Sequence, residues 1–394
     1  MQIDLIDLDT YAAGGPPHRQ LRWLRENDPV HRHQGEPEFW AVTRYEDVVH
    51  VSRNSDLFSS ERRLAFFDEL PEEQLPFQRL MMLNQDPPEH TRRRQLVNRG
   101  FTARNINNLE QRIRDICDDL LDTCSGEVDF VEEVAAPLPL YVICELLGVP
   151  ASDWGKMYDW SNRIVGATDT DYLASPEEDG VAERELYAYA QQLAAQRRAE
   201  PRDDIVGKLL APDENGQTMA PNEFNLFVHL LVIAGNDTTR NAASGGMLAL
   251  FEHPRQWERL VADPTLARPA ADEIVRWVSP VNMFRRTATA DLTLGGQQIR
   301  ENDKVVVFYA SANRDALAFP DPETFDIGRD PNPHIGYGGG GPHFCIGSHL
   351  AKMELHILFE QLAIRFPKIR QTDDVRRLRS NFVNGIKSLP VRLS

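Results

Sequence analysis

The chain has 394 residues, enough for one large domain or two to three ordinary ones. With 60 acidic residues against 43 Lys and Arg, its formal net charge is -17, which argues against nucleic acid or an anionic membrane surface as partner. Four cysteines without a CxxC pair, an N-terminus with no basic or apolar run, and no apolar stretch long enough to span a bilayer read as a reduced, cytoplasmic protein.

In chain order, Phe39-Trp40-Ala41-Val42-Thr43 predicts a strand and Tyr45 to Val51 a helix. After Pro87-Pro88, His90 and Arg94 stand at i, i+4 and share a helix face, while Arg92 and Arg93 read as a solvated basic face. Leu109 to Cys124 and Val181 to Arg198 predict amphipathic helices, and Cys117, Cys124 and Cys144 read as buried small hydrophobes. The longest helix should run from Pro221 to His253-Pro254, about 48 Å at about 1.5 Å per residue. Residues 286–300 suggest a hairpin turning at Gly295-Gly296, Lys304 to Phe308 a buried strand, and Asp321 to Pro342 a long irregular meander of the kind that is usually functional.

Four constellations carry chemistry. Cys345 lies in Gly338-Gly339-Gly340-Gly341-Pro342-His343-Phe344-Cys345-Ile346-Gly347, directly before an amphipathic stretch. Glycines allow close approach of the backbone to a flat ligand, and the positive end of the following helix favours a thiolate. A lone thiolate in such a cradle suits an iron porphyrin; the bland alternative is a structural cysteine beside a flexible loop. In the longest helix, Ala234-Gly235-Asn236-Asp237-Thr238-Thr239 pairs small residues with an acid and a hydroxyl, poor choices for helix stability but suited to relaying protons. Thr side chains there are expected to loosen the helix and open a groove for water. The alternative is a polar helix face. Glu273 and Arg276 share a helix face, an ordinary surface pair unless Arg329 of the meander locks them into a buried network. His90, Arg94, Arg286 and His343 together would neutralise two carboxylates.

Taken together these residues resemble the cytochrome P-450 family of haem-thiolate monooxygenases, over essentially the whole chain and in the family's motif order. Residues 234–239 match the oxygen-activation stretch of the family's long I helix. Glu273 and Arg276 match its ExxR motif, with Arg329 as the meander partner, and Gly341, His343, Cys345 and Gly347 match its cysteine-loop signature. One departure is visible: Gly338 stands where the family usually has Phe, and the aromatic is Tyr337, one residue earlier. That extra glycine, with Asn332-Pro333-His334, Val281 to Thr287 and Asn381 to Pro390, is similar to the bacterial branch that oxidises sterol side chains and methyl-branched lipids.

The resemblance implies a mainly α fold with a small β portion, the triangular-prism P-450 architecture, with haem between the long I helix and the cysteine loop. It implies a single domain over 1–394, with β-rich parts at roughly 28–60, 286–310 and 375–394. Haem b would take its axial thiolate from Cys345, with His90, Arg94, Arg286 and His343 at the propionates and Gly235, Phe344 and Gly347 close to the ring. Asp237 and Thr238 would serve proton delivery while one atom of O2 is inserted into a C–H bond. The stretch after Cys345 is too short for a fused flavin domain, so electrons are expected from a ferredoxin and its reductase, with Arg92, Arg93 and Lys352 as a basic docking spot. Family topology places Phe66, Phe67, Leu70, Phe77, Met81 and Met82 over the haem. Val232, Val281, Asn282, Met283, Phe284, Phe382 and Val383 surround it, with Asn282 as the one polar handle. A hydrophobic substrate follows, such as a sterol, terpenoid or branched lipid, in a monomer with no membrane anchor. Two other classes remain: an H2O2-using peroxygenase, against which the Asp237-Thr238 relay argues, and a non-catalytic haem sensor, which has no need of the relay.

Overall fold

The computed structural model describes residues 3–166, 180–202, 204–212, 216 and 218–394, and helices dominate it. Five short strands build the main sheet: β1 (Val30–His33), β2 (Phe39–Val42), β3 (Phe58–Ser59), β4 (Met283–Ala288) and β5 (Lys304–Phe308). Their spatial order is β1-β2-β5-β4-β3. β2 runs parallel to β5 with Trp40 opposite Val305, and β4 antiparallel to β5 with Met283 opposite Phe308. Successive side chains point to opposite faces, so this register divides β4 cleanly. Phe284 and Arg286 share a face with Val305 and Val307, which pack with Trp40, Val48, Val51 and Phe58. Met283 shares the other face with Val306 and Phe308, packed on Leu5, Leu21, Phe39 and Phe67.

The helical part is organised by α1 (Glu89–Asn98), α2 (Pro137–Leu147), α3 (Trp154–Gly166), α4 (Val181–Ala199), α5 (Pro221–Glu252), α6 (Ala267–Val278) and α7 (Ser348–Arg365). α5 is the axis, in contact with α2, α3, α4, α6 and α7. Its start is fixed by Pro221 at the first position and by Glu223 Oε2, which accepts from the Ala220 N–H at 3.0 Å. α2, Pro-Leu-Pro-Leu-Tyr-Val-Ile-Cys-Glu-Leu-Leu, is apolar nearly all round and accordingly buried on nearly every side. α6 lies close against α5 because Gly246 leaves room there: a Cβ on it would stand 2.7 Å from Ile274 Cγ2.

The expected helices and strands are present, with two differences. The hairpin at Gly295-Gly296 is limited to Leu292–Leu294 and Gln297–Ile299; residues 286–288 belong to β4. A strand at Glu127–Asp129, paired with Pro390–Arg392, was not expected, since three half-exposed residues carry no periodicity and their partner lies at the other end of the chain. Among the described residues, no helix is long and apolar enough to cross a membrane.

Candidate active site

Cys345 occupies an irregular loop that ends where α7 begins, and its backbone N–H donates to Tyr337 O at 2.9 Å. Its side chain is accessible, yet surrounding mass pushes its thiol up, so the accessible surface faces an interior cleft. The Gly347 N–H and the Arg94 guanidinium oppose that shift, as the helix-terminus argument requires, but burial outweighs them in the protein alone. The glycine run has another function than close contact with a flat ligand. A Cβ on Gly341 would sit 2.4 Å from Ser52 O, and one on Gly339 would sit 2.7 Å from Ser52 Oγ. These glycines let the loop press onto the helix Tyr45–Arg53. Arg94 ties the loop from the other side, donating to Pro342 O at 2.7 Å and to Phe344 O. The Phe344 ring itself is 40% exposed.

In the middle of α5 the side chain of Ala234 is exposed although the helix is the molecular axis, which marks a cleft beside it. Thr238 Oγ1 donates to Ala234 O at 2.6 Å, and the helix continues through this point without a break, so the expected loosening is absent. Asp237 is buried, and burial pushes its carboxyl up, against the opposing influence of Arg240 and Asn241. Gly235 does not face the cleft: a Cβ there would meet Ile143 Cδ1 at 2.7 Å. It is the point where α2 closes on α5, and the expectation that it lies against a cofactor is corrected accordingly.

Glu273 and Arg276 are fully buried and joined by two bonds of 2.7 Å. Arg329 Nε reaches Glu273 Oε2 at 3.1 Å, and Asn332 Nδ2 reaches the same oxygen at 3.1 Å. Arg276 also donates to the carbonyls of Asn313 and Pro322 at 2.9 Å and of Thr324 at 3.0 Å. Two guanidinium groups thus share one carboxylate, and backbone carbonyls accept from their remaining donors, as buried charges require. Asn332 was noted in the sequence only for its resemblance to the bacterial branch, not for a bond to Glu273.

A cationic cluster stands beside the Cys345 loop. The rings of His90 and His343 lie 4.3 Å apart, and Arg286 and Arg94 both act on His343. Burial pushes His90 down to about 4 and His343 well below its usual value. His90 Nδ1 and His343 Nε2 are buried without a hydrogen-bond partner. Among the described residues, neither Arg94 nor Arg286 has a carboxylate within 4.0 Å, although Arg286 is 4% exposed. A buried guanidinium, Arg286, and two imidazoles left in this state call for acceptor groups. Two carboxylates of a haem meet that need, so the residues present fit the group. Asp86, held by the Ser60 N–H at 2.8 Å, acts on both His90 and Arg286 and was not anticipated.

The apolar residues separate into groups. Phe382 meets Phe66 at 5.6 Å and Phe284 at 5.4 Å, both edge to face, and Val281 bridges Val383. These five form one half-buried apolar wall. Phe67 and Met283 lie instead in the core on the opposite face of the sheet, where strand alternation puts them. Val232 is fully buried in the main core. Met81 is buried, while Met82 packs on the main core beside Arg93 and Phe227. Leu70 is half-buried and Phe77 is 48% exposed. Asn282 is 0% exposed; its amide N–H donates to Asn381 O at 3.1 Å, tying the start of β4 to the C-terminal loop, while its Oδ1 is buried without a hydrogen-bond partner. Arg93 is likewise not solvated. It is buried and paired with Glu223 at 2.8 Å, Arg92 shares Glu223 at 3.0 Å, and Lys352 pairs Asp272 at 2.6 Å.

The Cytochrome P450 family model matches residues 180–390, the part that holds α5, the Glu273 network and the Cys345 loop. A steroid C26-monooxygenase of Rhodococcus jostii is 44% identical over 402 residues, covering 99% of this chain and 84% of that relative. The chain belongs to the cytochrome P450 family. It is a monooxygenase, and haem with a cysteine thiolate ligand is the cofactor that P450 membership implies. A methyl-branched lipid omega-hydroxylase of Mycobacterium tuberculosis is 41% identical over 361 residues, covering 90% of this chain and 84% of that P450. Among solved structures, Mycobacterium marinum CYP268A2 in complex with pseudoionone matches with a TM-score of 0.90 and 38% identity, over 99% of each chain. CYP109E1 of Bacillus megaterium in complex with testosterone matches with a TM-score of 0.86 and 33% identity, over 96% of this chain and 99% of that one.

Proposed function

We propose that this P450 hydroxylates the end of a branched aliphatic chain, such as a sterol side chain or a methyl-branched lipid. The observation that carries the proposal is the agreement of its relatives: one is named for C26 of a steroid and another for the omega carbon of a methyl-branched lipid. In sterol numbering C26 is an end carbon of the branched side chain, so both names describe a terminal position. The wall of Phe66, Phe284, Phe382, Val281 and Val383 supports a hydrocarbon ligand whose binding comes from buried apolar area, about 25 cal/mol per Å2.

Cys345 is the thiolate that would hold haem b, with His90, Arg94, Arg286 and His343 at its propionates. When bound, the haem supplies O2 activation and transfer of one oxygen atom to carbon. The chain's own residues bind and orient the substrate, and Asp237 and Thr238 pass protons into the cleft. Electrons come from a ferredoxin and its reductase. The test is spectral titration of the purified holoenzyme. Sterols and methyl-branched fatty acids should displace iron-bound water and shift the spin state at micromolar concentration, and sugars or free amino acids should not. Tight binding confined to hydrophilic ligands would overturn the assignment.

A further inference from the structure

Residues 60–70 form neither helix nor strand, yet specific bonds strap them to the sheet. Beyond β3 the chain follows the part of the β4 edge that β3 leaves open. The Arg285 N–H donates to Ala65 O at 2.9 Å, and the Ala65 N–H donates to Asn84 Oδ1 at 3.0 Å. Leu64, immediately before, is buried at a φ of +69°, a left-handed conformation that a branched side chain keeps only where its surroundings impose it. The next two rings then part. Phe66 meets Phe382 edge to face on the apolar wall, while Phe67 meets Phe39 at 5.2 Å in the core behind the sheet.

Glu69 fastens the far end of this strap. Its Oε1 accepts from Arg285 Nη1 at 2.7 Å and from Lys304 Nζ at 2.9 Å. Lys304 Nζ also donates to Phe67 O at 3.2 Å and lies 4.9 Å from the centre of the Phe67 ring. Both cations belong to the sheet and are buried, Arg285 3% and Lys304 8% exposed, whereas the Glu69 side chain is 53% exposed. Among the described residues, no other carboxylate lies within 4.0 Å of either cation. Two buried charges thus depend on one carboxylate from a segment without secondary structure, and parting them from it is costly.

We infer that Glu69 is a positioning residue for the substrate wall: through Arg285 and Lys304 it pins residues 64–69 to the edge of β4 and so fixes the Phe66 ring against Phe382. A hydrocarbon chain then meets a preformed wall, and the carbon presented for oxidation is set by it. The inference rests on the reading of that wall as the substrate's binding surface.

The experiment compares Glu69→Gln, Phe66→Ala and the double variant as holoenzymes. In Glu69→Gln, without ligand, the amides of residues 64–69 should exchange hydrogen about tenfold faster while those of α5 stay as they are. In spectral titration with a methyl-branched fatty acid, Glu69→Gln should weaken binding about tenfold and spread hydroxylation to carbons next to the terminal one, and neither effect should grow when it is added to Phe66→Ala. Unchanged exchange at residues 64–69 overturns the inference. So does an effect of Glu69→Gln of equal size with and without the Phe66 ring, because Glu69 would then not act through it. Should Glu69→Gln yield no holoenzyme, Glu69→Asp, which keeps the charge with a shorter reach, should show the same local exchange and the same dependence on Phe66 at smaller size, and their absence overturns the inference equally. Failure of branched-chain ligands to bind the wild type would overturn the substrate reading instead, and the exchange measurement, made without ligand, would still decide on the strap.

Discussion

Cys345 owes its chemistry to a loop held on three sides: the Tyr337 carbonyl on its N–H, the Gly347 N–H on its sulfur, and Arg94 on the carbonyls of Pro342 and Phe344. The account predicts that the reduced holoenzyme with CO shows the strongly red-shifted Soret band of thiolate ligation, and that Cys345→Ser abolishes it. The relay residues make a second prediction. Thr238→Ala should retain haem and substrate but divert reducing equivalents to peroxide, read as product formed per electron pair consumed. Asp237→Asn should slow turnover on the order of a hundredfold. These residues stood out in the sequence because their pattern is local: a cysteine among glycines, and an acid beside a hydroxyl in a helix. Gly235 was misread for the same reason, since a small residue beside a motif does not reveal which neighbour needs the space. Only the packed Ile143 shows that.

At the scale of elements, α6 is welded to the meander through Glu273, and Glu273→Ala would leave Arg276 and Arg329 buried without a counter-charge. That should cost on the order of 3–5 kcal/mol and yield protein without haem, checked by chemical unfolding and haem content. A soluble, fully loaded variant of unchanged stability would contradict it. In α7, Glu354 is buried with Oε2 unpartnered, and burial pushes its carboxyl up to about 8 from an ordinary 4.5. A raised carboxyl keeps its proton in the fold and loses it in the unfolded chain. Its contribution to stability is complete below 4.5, declines between 4.5 and about 8, and levels off above. The slope is about 1.4 kcal/mol per pH unit. Glu354→Gln should therefore gain on the wild type as urea unfolding is repeated from pH 5 to pH 8; parallel curves would refute this. α5, bounded by Pro221 and His253-Pro254, and β5, an apolar run after Lys304, were readable from the chain. What was not readable was which face of β4 meets which neighbour: Met283 and Phe284 are equally apolar, and only the register with β5 sends one into the core and the other to the wall with Phe382.

For the whole molecule, the net charge of -17 was a poor guide to local patches. Arg92 and Arg93 read as free cations in sequence, yet both pair with Glu89 and with Glu223, the latter more than a hundred residues away. The molecule as a whole places the Cys345 loop, the Asp237-Thr238 stretch of α5 and an apolar wall in one fold shared with its P450 relatives. Its central claim is oxidation at the end of a branched hydrocarbon chain. The most direct measurement incubates the holoenzyme with a ferredoxin, its reductase and isotopically labelled O2, supplying a sterol with an intact side chain or a methyl-branched fatty acid, and locates the label by mass spectrometry and NMR. The account predicts one labelled oxygen atom on a terminal carbon. Label confined to ring or mid-chain carbons, or absent from the product, would contradict it.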